Sequence, residues 1–310
     1  MSILGCRQWA RGSFDTRGPL SLILDAQNLA AKTDPRVGLK SFEIIGGPSF
    51  PGILDNLWVS INTTCLLFRR VLPCFSNDTN NLTDLRMVLS LVTSDYLEHI
   101  FTSLPHLQSL ELELENDTVP VSIPSRALER IKLPKLSTLI ASKVIVDAVL
   151  PTWIAVPSLK TLGLVVEIEK EGGTATRTLY DCLRSYGADW PVLHTVILKG
   201  MWTEGMMNFV RDAFTEALSM VRTLEIEGNG FSSLFEHLAQ STLLLSVVNQ
   251  LVLRDTDVSS SSIRQFVNAR QDASTGSNPI RGLTITGRNS LDRSLCEEME
   301  ERLNNVNVYW

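Results

Sequence analysis

Residues 104–115 read LPHLQSLELELE. Pro105 ends whatever precedes it, because its ring removes a backbone donor and fixes φ. Leu107, Leu110 and Leu112 then follow at LxxLxL spacing, while Ser109, Glu111 and Glu113 alternate with them. A period of two in the second half of the segment is that of a strand with one apolar and one polar face.

The same spacing recurs outward in both directions. Upstream it is found in Leu82, Leu85 and Met87, and earlier in Leu39, Phe42 and Ile44. Downstream it is found in Leu136, Leu139 and Ala141, in Leu159, Leu162 and Leu164, and in Leu193, Val196 and Leu198. Looser copies are Val221, Leu224 and Ile226, then Val248, Leu251 and Leu253, then Ile280, Leu283 and Ile285. Four copies open on Pro-x-Leu, at Pro105, Pro134, Pro157 and Pro191, so the intervals are 29, 23 and 34 residues. Variable intervals with a constant strand segment place the insertions in connecting loops. Each proline is expected just ahead of its strand.

Between the copies lie helical patterns. Residues 94–104 form a short amphipathic stretch capped by Ser94, and residues 203–218 carry Met207, Val210, Phe214 and Leu218 on one side with Thr203 as cap. SSSSIRQFVNAR and SLCEEMEERL complete the set. Residues 1–18 have little periodicity and are read as a flexible arm, with PLSLILD (Leu20, Leu22, Leu24) as the first strand. Residues 46–81 are the least regular; Asn62 is read there as the cap of a short helix bearing Cys65, Phe68 and Leu72. The expected organisation is thus an arm over 1–18 and one α/β array over 19–310.

Composition bounds the rest. The 310 residues, 44% hydrophobic and 20% charged, belong to a chain that buries a core. A net charge of -6 and the lack of a long basic run argue against a general nucleic-acid binder. The longest nearly apolar run, 243–253, is broken by Ser246, Asn249 and Gln250 and falls well short of the ~20 residues of a membrane span. The start, MSILGCRQWARGS, has no secretory pattern, which predicts an intracellular protein, cytoplasmic or nuclear. On that reading Asn62, Asn77, Asn81 and Asn116 are turn and cap residues, although each begins Asn-x-Thr. The five cysteines show no metal spacing and read as reduced thiols.

No chemistry-bearing motif emerges. His99, His106, His194 and His237 are dispersed, and Asp95 with His99 reads as a helix surface pair. Residues 169–178, EKEGGTATRT, lack the order of a phosphate loop, and GNG at 228–230 reads as a turn. The expectation is a non-enzyme with no catalytic residues, no metal and no cofactor; a hydrolase with an unrecognised site is the remote alternative.

LxxLxL strands alternating with short helices at these intervals resemble the leucine-rich repeat, over residues 37–310. That resemblance implies a solenoid, a curved parallel sheet with helices on its convex side. The family's asparagine, three residues past the last leucine, is matched only by Asn229. Within that family, RQWARGSFDTRGPLSLILD, the PxLxxL segments and a closing helix running into NVNVYW look most like fungal F-box proteins with degenerate repeats. The resemblance implies substrate recognition in a ubiquitin ligase. The 18 residues ahead of the first expected strand are too few for the three-helix F-box of such proteins, so the expectation is a receptor whose F-box is missing or truncated, with a ligase adaptor as partner only if an F-box lies upstream. A ligase-independent adaptor or scaffold is the alternative.

The side chains between core positions would face a partner. They give an apolar strip, Ile140, Val165 and Ile197, between the acidic pairs Glu111 with Glu113 and Glu225 with Glu227, with Lys199 and Arg254 in the same rows. An apolar centre with a charged rim suits a protein partner, with neither nucleic acid nor membrane involved.

Overall fold

A computed structural model describes residues 10–13, 41–45, 53–59, 65–69, 72–75, 82–89, 94–114, 130–142, 145, 154–166, 190–202, 220–241, 244–272, 276–288 and 291–309. The chain divides into two compact units, Met1–Ala141 with Thr152–Val156, and Ser142–Pro151 with Pro157–Trp310. It is an α/β protein whose main strands run parallel.

The first unit holds β1 (Ala10–Ser13), β2 (Ser41–Ile45), β3 (Ile53–Val59), β4 (Cys65–Arg69), β5 (Leu72–Phe75) and β6 (Asp84–Leu89). Helix α1 (Ser94–Ser103) precedes β7 (Ser109–Leu114), β8 (Ile131–Lys132), β9 (Thr138–Ser142) and β10 (Ile154–Ala155). The sheet order is β1-β2-β4-β6-β7-β9, while β3 pairs with β5 and β8 with β10. Two expectations need correcting. Residues 10–13, assigned to a flexible arm, form β1 and pair in parallel with β2, since ladder bonds are made by the backbone and need no apolar alternation. Residues 65–69, expected in a helix behind Asn62, form β4, with Leu66 and Phe68 in register with Leu85 and Met87. A short apolar run fits either element, and strand pairing decided it. Asn62 and the strand expected at Leu20 to Leu24 lie outside the described residues.

The second unit runs β11 (Thr161–Val166), β12 (Thr195–Met201), β13 (Thr223–Asn229), α2 (Ser232–Gln240), β14 (Gln250–Arg254), α3 (Ser260–Gln271), β15 (Gly282–Thr286), α4 (Arg293–Arg302) and β16 (Asn305–Tyr309). Consecutive strands are neighbours, so β11 to β16 pair in chain order. Each returns through a connection long enough for a parallel crossover, and helices fill the last three. The helix expected over 203–218 lies outside the described residues.

The LxxLxL register holds in both units. All three core positions of every copy from Leu82 to Ile285 are buried, each at most 6% exposed. Leu85 faces Leu110 and Leu110 faces Leu139 in the first unit; Leu224 faces Leu251 and Leu251 faces Leu283 in the second. Burying a leucine is worth roughly 1.5–3 kcal/mol, so these columns dominate the folding energy.

Proline does not sit directly ahead of the strand. Leu107, Leu136 and Leu193 donate their N–H groups to the carbonyls of Leu104, Leu133 and Trp190 at 3.1–3.2 Å, closing β-turns with Pro105, Pro134 and Pro191 at the second position. There the ring's fixed φ is already that of the turn. A second regular feature follows. One carbonyl of each strand's lead-in takes two successive N–H groups of the next: Thr83 from Gln108 and Ser109, Lys160 from His194 and Thr195, His194 from Arg222 and Thr223. Asn249 takes Arg281 and Gly282 in the same way.

Side chains beyond the strands tie the last repeats of the second unit together. Asp257 Oδ1 accepts from Gly230 N at 2.8 Å, and Asp255 Oδ1 from Arg288 N at 2.8 Å. Ser232 Oγ accepts from Ser259 N, and Ser260 Oγ from Asp292 N. Ser259 and Asp292 in turn cap α3 and α4, accepting from Ser262 N and Leu295 N. Asn229, the one match to the family's asparagine, is exposed and offers its carbonyl to Trp202 N at 2.9 Å. Gly228, at φ +117°, is required: a Cβ there would drive into the Gly200 carbonyl of the neighbouring strand.

Helix α3 ends on an unusual residue. Arg270 is 0% exposed; Nη2 donates to the Leu244 carbonyl, and the guanidinium lies 5.2 Å from the Phe266 ring centroid. Its Nε and Nη1 have no hydrogen-bond partner. Burial pulls its pKa down to about 10.

Candidate functional site

The outward rows were read correctly in register, and side-chain geometry changes what they offer. In the first unit Arg86 lies in register with Glu111. Its Nε is 3.0 Å from Glu111 Oε2 and its Nη2 3.3 Å from Glu113 Oε1, so one guanidinium spans both carboxylates. The Nε approach lacks hydrogen-bond alignment, which makes that arm of the contact chiefly Coulombic. Ile140, in register with Glu111, is partly exposed beside this cluster.

The second unit repeats the device with different residues. Lys199 Nζ lies 3.8 Å from Glu227 Oε1, and Arg254 Nε 2.5 Å from Glu225 Oε1. Of the acidic pairs expected to rim the face, Glu225 and Glu227 are thus matched one to one by strand neighbours, while Arg86 is shared between Glu111 and Glu113. Glu225 is only 15% exposed at its side chain, against 47% for Arg254. What a partner meets first on this row is the outer edge of the Arg254 guanidinium.

The apolar strip is also less open than its alternation suggests. Val165 and Ile197 are 7% and 9% exposed. Val165 is in register with Lys199, and Ile197 with Glu225. A β-branched side chain set beside longer ones on the same face is shaded by their stems. Within the described residues of the second unit, the accessible face passes instead to Val252, Thr284 and Asn307, which are partly exposed, and to Tyr309, 61% exposed.

The histidines make local contacts. His99 Nδ1 is 3.3 Å from Ser103 Oγ one turn along α1, His194 Nδ1 is 2.9 Å from Thr195 Oγ1, and His237 Nδ1 is 3.0 Å from the Ser233 carbonyl. Cys296 is buried and free, and its thiol is held above the usual range by burial, reinforced by Glu300, Asp292 and Glu297. Among the described residues no group of three His, Cys, Asp or Glu side chains is arranged to hold a metal ion, and no helix is long and apolar enough to cross a membrane.

Sequence reasoning did not single out Arg86, which meets Glu111 and Glu113 from the neighbouring strand. The signal was present: RM at 86–87 puts its side chain one strand from Glu111 on the same face. Residues preceding the strands were missed for a different reason. Strict alternation from Leu162 or Leu224 would turn Lys160 and Arg222 toward the core, yet both are exposed. The doubled hydrogen bond at each lead-in breaks the pleat there and releases those side chains. Compared with protein-family models and with curated protein sequences, the chain matches none.

Proposed function

We propose that this chain is a leucine-rich-repeat solenoid that recognises a protein through the outward face of its parallel sheets, as the substrate-receptor part of an F-box-type ubiquitin ligase. The observation that carries the recognition reading is the segregation of each strand. Three positions per repeat are buried, and the intervening ones stand on the opposite face as paired charges, threonines and part-exposed apolar side chains. Such a surface is a lattice of small, fixed contacts about 4.8 Å apart, which suits an extended partner better than a metabolite. The ligase context rests on the resemblance alone.

The test is affinity purification of the full chain, wild type and Arg254→Glu with Val252→Glu, followed by identification of what is retained. Support for recognition is a protein captured by the wild type and lost by the variant at unchanged thermal stability. Co-purification of a cullin adaptor supports the ligase context; a captured partner without any ligase component in either direction of pull-down leaves a ligase-independent adaptor and ends the ligase reading.

A further inference from the structure

The residues just ahead of the strands of the second unit form their own row. Strands β11 to β15 are in register at Thr161, Thr195, Thr223, Gln250 and Gly282. The preceding positions are Lys160, His194, Arg222, Asn249 and Arg281, laced by the carbonyl-to-amide bonds described above. Lys160, His194, Arg222 and Arg281 are all exposed. No acid occupies the row, and none of its three permanent cations forms an ion pair with a described residue. That is unusual in a chain of net charge -6 whose face cations Arg86, Lys199 and Arg254 are all matched with glutamates.

Two of the most exposed large apolar side chains stand beside the same row. Val192, 44% exposed, is two residues ahead of His194, and Met220, 65% exposed, is two ahead of Arg222. Both belong to the turns that feed adjacent strands, β12 and β13. Cations with apolar side chains between them, uncovered along one sheet margin, are complementary to an anionic chain that also carries apolar groups.

Spacing narrows the partner. Lys160, Arg222 and Arg281 fall on alternate strands, and strands lie about 4.8 Å apart, so the cations recur roughly every 9.6 Å. A polyproline II segment advances about 9.3 Å per three residues and returns to the same face after each three. Acidic residues at every third position of such a segment would meet one cation each. At physiological salt the screening length is about 8 Å, so each contact acts nearly alone and affinity comes from making several at once.

We propose that this margin is a docking site for an extended acidic polypeptide segment with a carboxylate at every third residue and apolar side chains between. It is separate from the sheet face invoked above, and either site can stand if the other fails.

The experiment uses the full chain and fluorescence anisotropy with a labelled peptide of four Glu-Pro-Leu repeats. Comparison probes are the Lys-Pro-Leu peptide, an oligothymidylate of similar charge, and vesicles containing phosphatidylserine. Binding of the glutamate peptide that weakens with salt, and that Arg222→Glu with Arg281→Glu reduces by about tenfold or more, is the expected result. Met220→Ser is expected to weaken it roughly threefold with an unchanged salt slope. Where circular dichroism shows the double variant unfolded, Arg222→Gln and Arg281→Gln singly replace it, with about a threefold loss each expected. The proposal is overturned by no binding of the glutamate peptide to wild type, by charge variants that bind it as wild type does, or by tighter binding of the oligothymidylate or the vesicles.

Discussion

The two units use the same buried columns and differ at their strand lead-ins. In the first, the positions ahead of β6, β7 and β9 are Thr83, Gln108 and Ser137, all uncharged. In the second, the equivalent positions hold Lys160, His194, Arg222 and Arg281. The backbone bonding is the same in both, with one carbonyl serving two amides. A position that the fold frees from the core is thus open to any residue, and in the second unit Lys160, Arg222 and Arg281 place there cations that pair with no described residue. The same comparison applies on the sheet face. One guanidinium, that of Arg86, is shared by two glutamates in the first unit, whereas Lys199 and Arg254 meet one glutamate each in the second.

The largest test of this comparison concerns the shared part. Leu110→Ala and Leu224→Ala, both at 0% exposure, are each expected to cost about 2–5 kcal/mol in urea unfolding. Equal losses show that the columns are equivalent; a loss confined to one of two unfolding transitions shows that the units unfold separately. Next in size is Gly228→Ala, which combines a positive φ with a collision against Gly200 and should cost about 1–3 kcal/mol. An unchanged melting temperature would refute the close approach of β12 and β13 at that point.

Arg270 gives a prediction of opposite sign. Replacing it with Met removes two unpartnered buried nitrogens while keeping volume, and should stabilise the second unit by roughly 1–3 kcal/mol at neutral pH. The pH dependence has a definite direction. The folded-state pKa is about 10, below the ordinary value of an arginine, so the folded protein sheds this proton first and the unfolded chain binds more protons above pH 10. Wild type therefore recovers stability as pH rises from about 10, and the advantage of the Met variant should be constant below that and shrink above it. Urea titrations at neutral pH and near pH 10.5 measure the difference.

The smallest effect compares the two face clusters. Arg86→Gln removes the guanidinium that lies between Glu111 and Glu113 and should cost about 0.5–1 kcal/mol, less in high salt. Arg254→Gln should cost less, because Lys199 still faces Glu227. Equal costs would mean that the clusters are not built differently.

What was legible in the sequence follows from these residues. The eight copies from Leu82 to Ile285 were readable because each buries a fixed spacing of side chains, and burial is what periodicity reports. Strand β4 was not, because its first four residues, CLLF, are all apolar and its partner strand, absent from any local window, selects its state. Strand β1 was not, because ARGS is held by backbone bonds to β2. On the site, the outward rows were legible, but the shading of Val165 and Ile197 and the clamp made by Arg86 depend on the length and bend of neighbouring side chains. The exposed lead-in row escaped because a hydrogen-bond pattern, which leaves no trace in residue type, overrides the alternation there.

The side-chain bonds that join successive loops carry a further implication. The amides of Gly230, Ser259, Arg288 and Asp292 lie outside the strands, and each is held by a carboxylate or hydroxyl about one repeat away. None can be released without disturbing a neighbouring turn of the chain. In deuterium exchange these loop amides should therefore behave like interior ones, and fraying should advance by whole repeats, so that the smallest unit able to open is larger than any single loop.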